Sequence, residues 1–390
     1  MTEAAVLAVN AGSSSIKLAL FAPGDTAQPS LDIRAERIGS AEASAKIAPR
    51  EGESARIAFP GDEGRTHETV LARLLPEVEA RAPGPVAAAG HRLVHGGADF
   101  TAPVRVDDDV MAALERLVPL ARTHQPHNLA AIRAVTAIWP DLPQAACFDT
   151  AFHATIPEVA RTLALPKWLR DAGLRRYGFH GLSYRWIADR LPDLLGETAE
   201  RHVIVLHLGN GASLCGMVGR RSTATTMGFT PLDGLVMGER PGLTDPGAIL
   251  FMLDELGMST HELRETLFKE SGLLGLSGFS NDMRTLLASD EPGAKLAIAV
   301  YVHRAVREIG AVAAELGGLD ALVFTGGIGE NAAPVRAAIV ERLGWFGARL
   351  DAEANARNAR RVSPGGALPI LVIRANEEAV IAQETRALIA

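Results

Sequence analysis

The sequence predicts an α/β protein of two domains that share a duplicated plan. Short apolar runs of strand length alternate with longer segments of helical spacing along the chain, the pattern of a mixed sheet covered by helices. At 390 residues the chain is longer than a single core supports, since cores stop growing at roughly 250–300 residues. One polar turn also occurs twice. Residues 6–9 run into Asn10-Ala11-Gly12-Ser13-Ser14-Ser15 before the alternating run 16–20, and residues 203–208 run into Gly209-Asn210-Gly211-Ala212-Ser213 before 214–218. Each reads as a hairpin. Such turns leave backbone N–H groups unshielded and let a phosphate approach, so two copies suggest phosphate held between duplicated units.

The elements follow in order. After the first hairpin, residues 34–68 are charged and broken by Gly and Pro, and read as short strands and loops. Residues 68–81 have helical spacing, and 86–94 form an apolar strand that ends in His95-Gly96-Gly97. Residues 107–120 read as a helix with three aspartates at its N-terminus, where the helix dipole favours them. A helix over 127–139 precedes a strand over 144–148 that delivers Asp149. Residues 157–168 and 181–195 are predicted helical, with Ser183 as a local cap. Beyond the second hairpin, helices are expected over 246–256, 260–269, 281–287 and 293–315. A strand over 320–325 feeds the turn Gly326-Gly327-Ile328-Gly329-Glu330-Asn331, then a helix over 334–342, a strand over 368–373 and a last helix over 377–389. The domain boundary is placed at 150, with 1–150 and the returning segment 376–390 forming one domain and 151–375 the other.

Composition is that of a globular protein, 47% hydrophobic and 22% charged, with a formal net charge of -7. That balance argues against nucleic-acid binding, which needs a basic face. Cys147 and Cys215 have no metal-ligand spacing and read as reduced core residues. The start lacks a basic leader, and no apolar run reaches the ~18 residues that span a bilayer, so no membrane partner and a cytoplasmic location are expected.

The chemistry-bearing residues sit at strand ends and in glycine turns. Arg92 ends a buried-looking strand, where an arginine needs an anion as partner, either an internal carboxylate or a bound carboxylate or phosphate. Arg240 lies between Gly238 and Gly242, His180 follows Gly178-Phe179, and Asp149 ends a strand. His91, His95, His153 and His207 read as satisfied core or supporting histidines. No spacing among the histidines suggests zinc. The cluster at 326–331 follows a strand and precedes a helix, where α/β proteins hold nucleotide phosphates. Two arginines, a histidine, glycine turns and the oxygens of Asn10 and Glu377-Glu378 meet the needs of phosphoryl transfer: positive charge, alignment and a magnesium ion.

The ordered motifs resemble the acetate kinase family, in the superfamily that joins acetate and sugar kinases with actin and the heat-shock chaperone ATPases. They are Asn-Ala-Gly-Ser-Ser-Ser-Ile-Lys at 10–17, Gly-His-Arg-Leu-Val-His-Gly-Gly at 90–97, Phe-Asp-Thr-Ala-Phe-His at 148–153 and Arg-Tyr-Gly-Phe-His-Gly at 176–181. His-Leu-Gly-Asn-Gly-Ala-Ser at 207–213, Thr-Met-Gly-Phe-Thr-Pro-Leu at 226–232, Phe-Thr-Gly-Gly-Ile-Gly-Glu-Asn at 324–331 and Asn-Glu-Glu at 376–378 complete the set. The resemblance implies a duplicated ribonuclease H-like fold with an interdomain nucleotide cleft. It implies reversible transfer of phosphate from ATP to acetate, giving acetyl phosphate and ADP, with magnesium (or manganese in its place), in a homodimer formed through the second domain. It places Arg92, His124, Asp149, His180 and Arg240 at the catalytic positions. The nucleotide positions are Lys17, His207, Leu208, Gly209, Asn210, Gly211, Asp282, Met283, Arg284, Gly327, Ile328, Gly329, Glu330 and Asn331. Val94, Thr123, Phe179 and Pro231 join Arg92 at the substrate, and Asn10 and Glu377 at the metal.

Two stretches depart from the family pattern. Arg122-Thr123-His124-Gln125-Pro126 stands where Pro-Leu-His-Asn-Pro is expected, so Thr123 puts a hydroxyl where an apolar side chain would border the substrate methyl group. Pro241-Gly242-Leu243-Thr244-Asp245 replaces Ser-Gly-Asp-Ile-Asp after Arg240. The alternatives are a propionate or butyrate kinase with the same machinery, and a nucleotide-driven binding module that would need the glycine turns but not Arg92, His180 and Arg240.

Overall fold

The computed structural model describes residues 4–25 and 27–389. Met1–Glu3, on which the leader expectation rests, lie outside the described residues. The chain divides into two compact units, Met1–Phe152 with Asn376–Ala390, and His153–Ala375.

The first unit holds an eight-stranded sheet. In chain order its strands are β1 (Ala5–Ala11), β2 (Ser15–Phe21), β3 (Leu31–Glu36), β4 (Ser44–Pro49), β5 (Ala55–Ala58), β6 (Val86–Leu93), β7 (Val104–Arg105) and β8 (Gln144–Phe148). Their order across the sheet is β5-β4-β3-β2-β1-β6-β8-β7. The second unit holds β9 (Val203–Leu208), β10 (Ala212–Val218), β11 (Arg221–Thr225), β12 (Ala321–Thr325) and β13 (Ile370–Val372), in the order β11-β10-β9-β12-β13.

The duplicated plan is visible in the pairing. β3-β2-β1 and β11-β10-β9 are each an antiparallel meander. β1-β6-β8 and β9-β12-β13 each extend it with two parallel pairings. Registers are matched as well. Asn10 lies opposite Lys17 in the first hairpin, and His207 opposite Ser213 in the second. Both glycine turns thus join the first two strands of their sheets, and the clusters Gly96-Gly97 and Gly326–Asn331 both follow the fourth strand of the shared plan.

β1, β9, β12 and β8 are buried along almost their whole length, as strands covered on both faces must be. The helix His67–Arg81 turns Val70, Leu71, Leu74, Leu75 and Val78 onto the first sheet's core. A smaller core of Leu93, Leu114, Leu129, Ile132, Ala146 and Phe148 lies nearer the strand ends. The last helix, Glu377–Ile389, packs on β1, β6 and β8. Gly90 allows that approach: a Cβ there would lie 2.7 Å from Ile381 Cγ2. This packing carries Glu377 to the ends of β1 and β6.

Several elements differ from the sequence expectation. The helix expected over 157–168 is two short ones, Glu158–Arg161 and Lys167–Asp171, because Pro166 starts the second and Thr162 bridges to Arg175 instead. The helix expected over 181–195 breaks after Ala188 and resumes at Leu191, ahead of Pro192. Ser183 does not cap it. It is buried one turn in, and His180 occupies the N-cap. The helix over 107–120 ends at Arg116, followed by one turn of 3₁₀ helix at Val118–Leu120. The glycine cluster Gly326–Asn331 forms a single helical turn. β7, β11 and the helix Gly272–Ser277 were not expected.

Candidate functional site

In the first unit the chemistry gathers around Arg92 at the end of β6. Its Nε reaches both oxygens of Asp149 at 3.1 Å, and its Nη2 donates to Asp149 Oδ2 at 2.6 Å. Its Nη1 donates to Asn10 Oδ1 at 3.1 Å, and Glu377 Oε2 lies 4.0 Å from its Nε. Asn10 in turn donates from Nδ2 to Glu377 Oε2 at 3.2 Å and to Glu378 Oε1 at 3.0 Å. Lys17 Nζ stands 3.9 Å from Glu378 Oε1. The adjacent parallel strands β6 and β8 bring Arg92 and Asp149 side by side, and the last helix brings the two glutamates.

The electrostatics follow from burial. Arg92's side chain is 19% exposed and Asp149's 1%. Burial works against the Arg92 charge, but Asp149, Glu377 and Glu378 outweigh it and hold the guanidinium protonated, well above its usual range. Burial pushes the Asp149 carboxyl upward, and the Arg92 fork opposes that push. Both Asp149 oxygens serve the arginine, so this carboxylate orients a cation. Asp149, Glu377 and Glu378 face Arg92 and Lys17, an excess of one negative charge, which a divalent cation would reverse. The oxygens of Glu377, Glu378 and Asn10 are hard donors, which suit magnesium rather than zinc. Among the described residues no group of three or more His, Cys, Asp or Glu is arranged as a metal cage. Oxygen donors of this kind suit a magnesium ion that keeps most of its water.

His124 and Thr123 open the helix Gln125–Ile138 of the same unit. The Thr123 hydroxyl lies 2.8 Å from His124 Nδ1, so it is engaged by its neighbour. Val94 is buried, and its N–H donates to Asn128, which also donates to the Ala11 carbonyl. Asn128 thus ties the Arg92 strand to the first glycine turn, a link no sequence motif announced.

The second unit gathers His180, Arg240 and the turn 209–211. His180 stands in the left-handed region, φ 60°, just after Gly178. Its Nδ1 lies 2.8 Å from Ser213 Oγ, and its ring stacks on His207 at 4.3 Å. Arg240 donates from Nη1 to the Pro231 carbonyl at 2.7 Å. A Cβ on Gly211 would lie 2.8 Å from Arg240 Nη2 and 3.1 Å from His180 Nε2, so this glycine leaves space where both nitrogens converge. Gly326 sits against the Leu208 carbonyl, which brings the two glycine clusters together, and Glu330 Oε1 accepts from the Gly326 and Ala375 N–H groups. Asn331 donates to the Gly327 carbonyl.

Asp282 and Arg284 pair with each other on the surface at 2.6 Å, beside Met283. Asn281 donates to Glu239 and ties their turn to the Arg240 loop. The unexpected helix Gly272–Ser277 is docked on that loop, with Leu273 and Leu274 N–H groups bonded to the Met237 and Gly238 carbonyls. The departing stretch after Arg240 is pinned by Arg304, which donates to the Leu243 carbonyl at 2.9 Å. Of the substrate set, Val94 and Thr123 belong to the first unit, Phe179 and Pro231 to the second. His91 and His153 are core histidines, bonded to Gln144, and to Ser222 and the Phe179 carbonyl, respectively. Both cysteines are buried and free.

Two sheets on one plan, each with an arginine and glycine turns near its strand ends, define a duplicated α/β protein. Comparison with known proteins gives the particular family. The model of the Acetokinase family matches residues 5–383, and the chain belongs to that family. It is similar to an acetate kinase of Rhodopseudomonas palustris, 49% identical over 387 residues that cover 97% of this chain and 96% of the relative. Among solved structures it resembles a propionate kinase from Francisella tularensis at TM-score 0.93 and 37% identity, covering 99% of this chain and 100% of that one. It also resembles Porphyromonas gingivalis acetate kinase at TM-score 0.89 and 32% identity, again covering 99% and 100%.

Proposed function

We propose that the protein is an acetate kinase, transferring the γ-phosphoryl group of ATP to acetate and, in reverse, from acetyl phosphate to ADP. The observation that carries the reading is the Arg92–Asp149–Asn10–Glu377 cluster, together with the family membership of almost the whole chain.

Acetate is ionised at neutral pH, since a carboxylic acid has a pKa near 4, so no general base is needed. One carboxylate oxygen attacks the γ-phosphorus. The new P–O bond forms as the bond to the β-bridging oxygen breaks, and that electron pair leaves with ADP. Arg92 binds the anionic acceptor and the moving group, with Asp149 fixing its fork. His180 and Arg240 stabilise the equatorial oxygens, where charge is spread in the transition state. The turn 207–211, the cluster 327–331 and Asp282–Arg284 hold the nucleotide, with Lys17 as a further cation. Asn10 and Glu377 would hold magnesium, which neutralises phosphate charge when bound. Val94, Thr123, Phe179 and Pro231 shape the acyl site, and His124 is a further active-site residue.

A homodimer formed through the second unit belongs to the same reading. The helix Pro246–Asp254 has no buried residue and exposes Leu250 and Phe251, with Leu243 and Leu256 exposed beside it. No helix of the described residues is long and apolar enough to cross a membrane. The propionate kinase neighbour keeps propionate as a second acceptor, because one methylene is worth only about 1–3 kcal/mol in such a site. The test is acyl phosphate formation from magnesium-ATP with acetate, propionate and butyrate, trapped with hydroxylamine. Acetate should give the highest kcat/KM. Product from none of them would overturn the reading.

A further inference from the structure

Behind His180 lie two buried hydroxyls, that of Ser213 at the end of the second glycine turn and that of Tyr184, to which the proposed chemistry gives no part. Ser213 and Tyr184 are both 0% exposed. Tyr184's hydroxyl lies 2.5 Å from Ser213 Oγ, and Ser213 Oγ lies 2.8 Å from His180 Nδ1. We propose that Tyr184 and Ser213 are positioning residues that wire His180 as the Nε2–H tautomer and aim that N–H at the phosphoryl group. The proposal rests on the kinase reading only for the identity of the group that His180 meets.

The direction of the chain follows from proton counting. Tyr184 stays protonated, because burial raises its pKa well above the ordinary phenol value, and its oxygen also takes a hydrogen bond from the His207 backbone. Its single O–H can donate to Ser213 Oγ, 2.5 Å away. A serine hydroxyl that accepts from tyrosine gives its own proton onward, and the acceptor within reach is His180 Nδ1. A neutral imidazole that accepts at Nδ1 carries its proton at Nε2. That nitrogen converges with Arg240 Nη2 over Gly211.

The ring's position is held independently of its tautomer. The His180 backbone is left-handed, which costs a non-glycine residue energy and persists only where its surroundings enforce it. His207 stacks on the ring with an interplanar angle of 22°, and Ser183 fixes His207 through its Nδ1 at 2.8 Å. Ser183 thus steadies the histidine pair. Removing the Ser213 hydroxyl would leave the ring in place but free its proton to sit on either nitrogen.

The test combines kinetics with nitrogen-15 NMR of histidine-labelled protein. Wild type should show His180 with a bare Nδ1 and a protonated Nε2. Ser213→Ala should mix the tautomers and lower kcat by roughly 10–100-fold, the range of a supporting group behind a transition-state donor, with the acetate KM within about twofold. Ser213→Thr should restore most of kcat, and Tyr184→Phe should give a smaller loss of the same kind. An Nδ1-protonated His180 in wild type overturns the proposal, as does an unchanged kcat in both Ser213→Ala and Tyr184→Phe. If Ser213→Ala fails to fold, the wild-type spectrum and Tyr184→Phe decide. Should wild type make no acyl phosphate, the kinase reading fails, while the spectrum still judges the wiring.

Discussion

Arg92 joins Asn10, Asp149 and Glu377, from three separate parts of the chain, and this makes it the residue most sensitive to change. Arg92→Ala should raise the carboxylate KM and lower kcat together, because its partner is anionic in both ground and transition states. A fall of about two orders of magnitude in kcat/KM is expected from losing charge-assisted hydrogen bonds of roughly 1.5–3 kcal/mol each. Arg92→Ala also leaves Asp149 buried without its cation, at a stability cost of roughly 3–5 kcal/mol, so the kinetics need the folded fraction measured by calorimetry. Arg92→Lys keeps the charge but not the fork, and should recover stability better than activity. Steady-state kinetics identical to wild type would remove Arg92 from the site. Thr123 gives a second residue-level expectation. Its hydroxyl is tied to His124, so Thr123→Leu both enlarges the apolar surface and removes that contact. The propionate-to-acetate ratio of kcat/KM should shift by up to about tenfold, the worth of roughly one methylene. An unaltered ratio would place residue 123 outside the acyl site.

At the scale of elements, each unit carries a buried histidine whose charging opposes folding. Burial pushes His91, on β6, and His153, beside β11, down to about 4, against an ordinary value of 6.5. Between those values the unfolded chain binds protons that the folded chain refuses, so stability falls as pH drops from about 6.5 to about 4, on the order of 3 kcal/mol per histidine. The Tm should decline across that window, with a shallower slope in His91→Gln. A flat Tm from pH 7 to 5 would contradict this. Elements also divide what could be read in the sequence from what could not. β1, β2, β9 and β12 were legible because alternation or apolar runs meet glycine turns, and Arg92 and Asp149 because they end such runs. β11, Arg-Ser-Thr-Ala-Thr, has little apolar content and exists through pairing with β10. The helix Gly272–Ser277 has two glycines and forms by docking on the Arg240 loop, a tertiary contact no local pattern encodes. Ser183 looked like a cap because serine favours that position, yet its hydroxyl serves His207. The Ser213–Tyr184 chain was hidden because it joins a strand residue to a helix residue far away in sequence.

For the whole molecule, one five-stranded plan is used twice for different work. The first copy gathers carboxylates around an arginine. The second gathers histidines, hydroxyls, an arginine and glycine turns. The repeated turns differ too: four residues separate Ala11 from Ile16 in the first, and three separate Leu208 from Ala212 in the second. Self-association belongs to this scale too. Sedimentation should show a dimer, and Phe251→Asp should shift it to monomer by placing a charge on the exposed apolar helix. A monomeric wild type would contradict the dimer. The most direct test of the central claim uses acetate carrying oxygen-18 in both positions, with magnesium-ATP, followed by phosphorus-31 NMR of the acyl phosphate formed. Attack by a carboxylate oxygen on phosphorus predicts one oxygen-18 bonded to phosphorus, read as an isotope shift of the acetyl phosphate signal. Acetyl phosphate without that shift, or no acyl phosphate at all, would contradict the account.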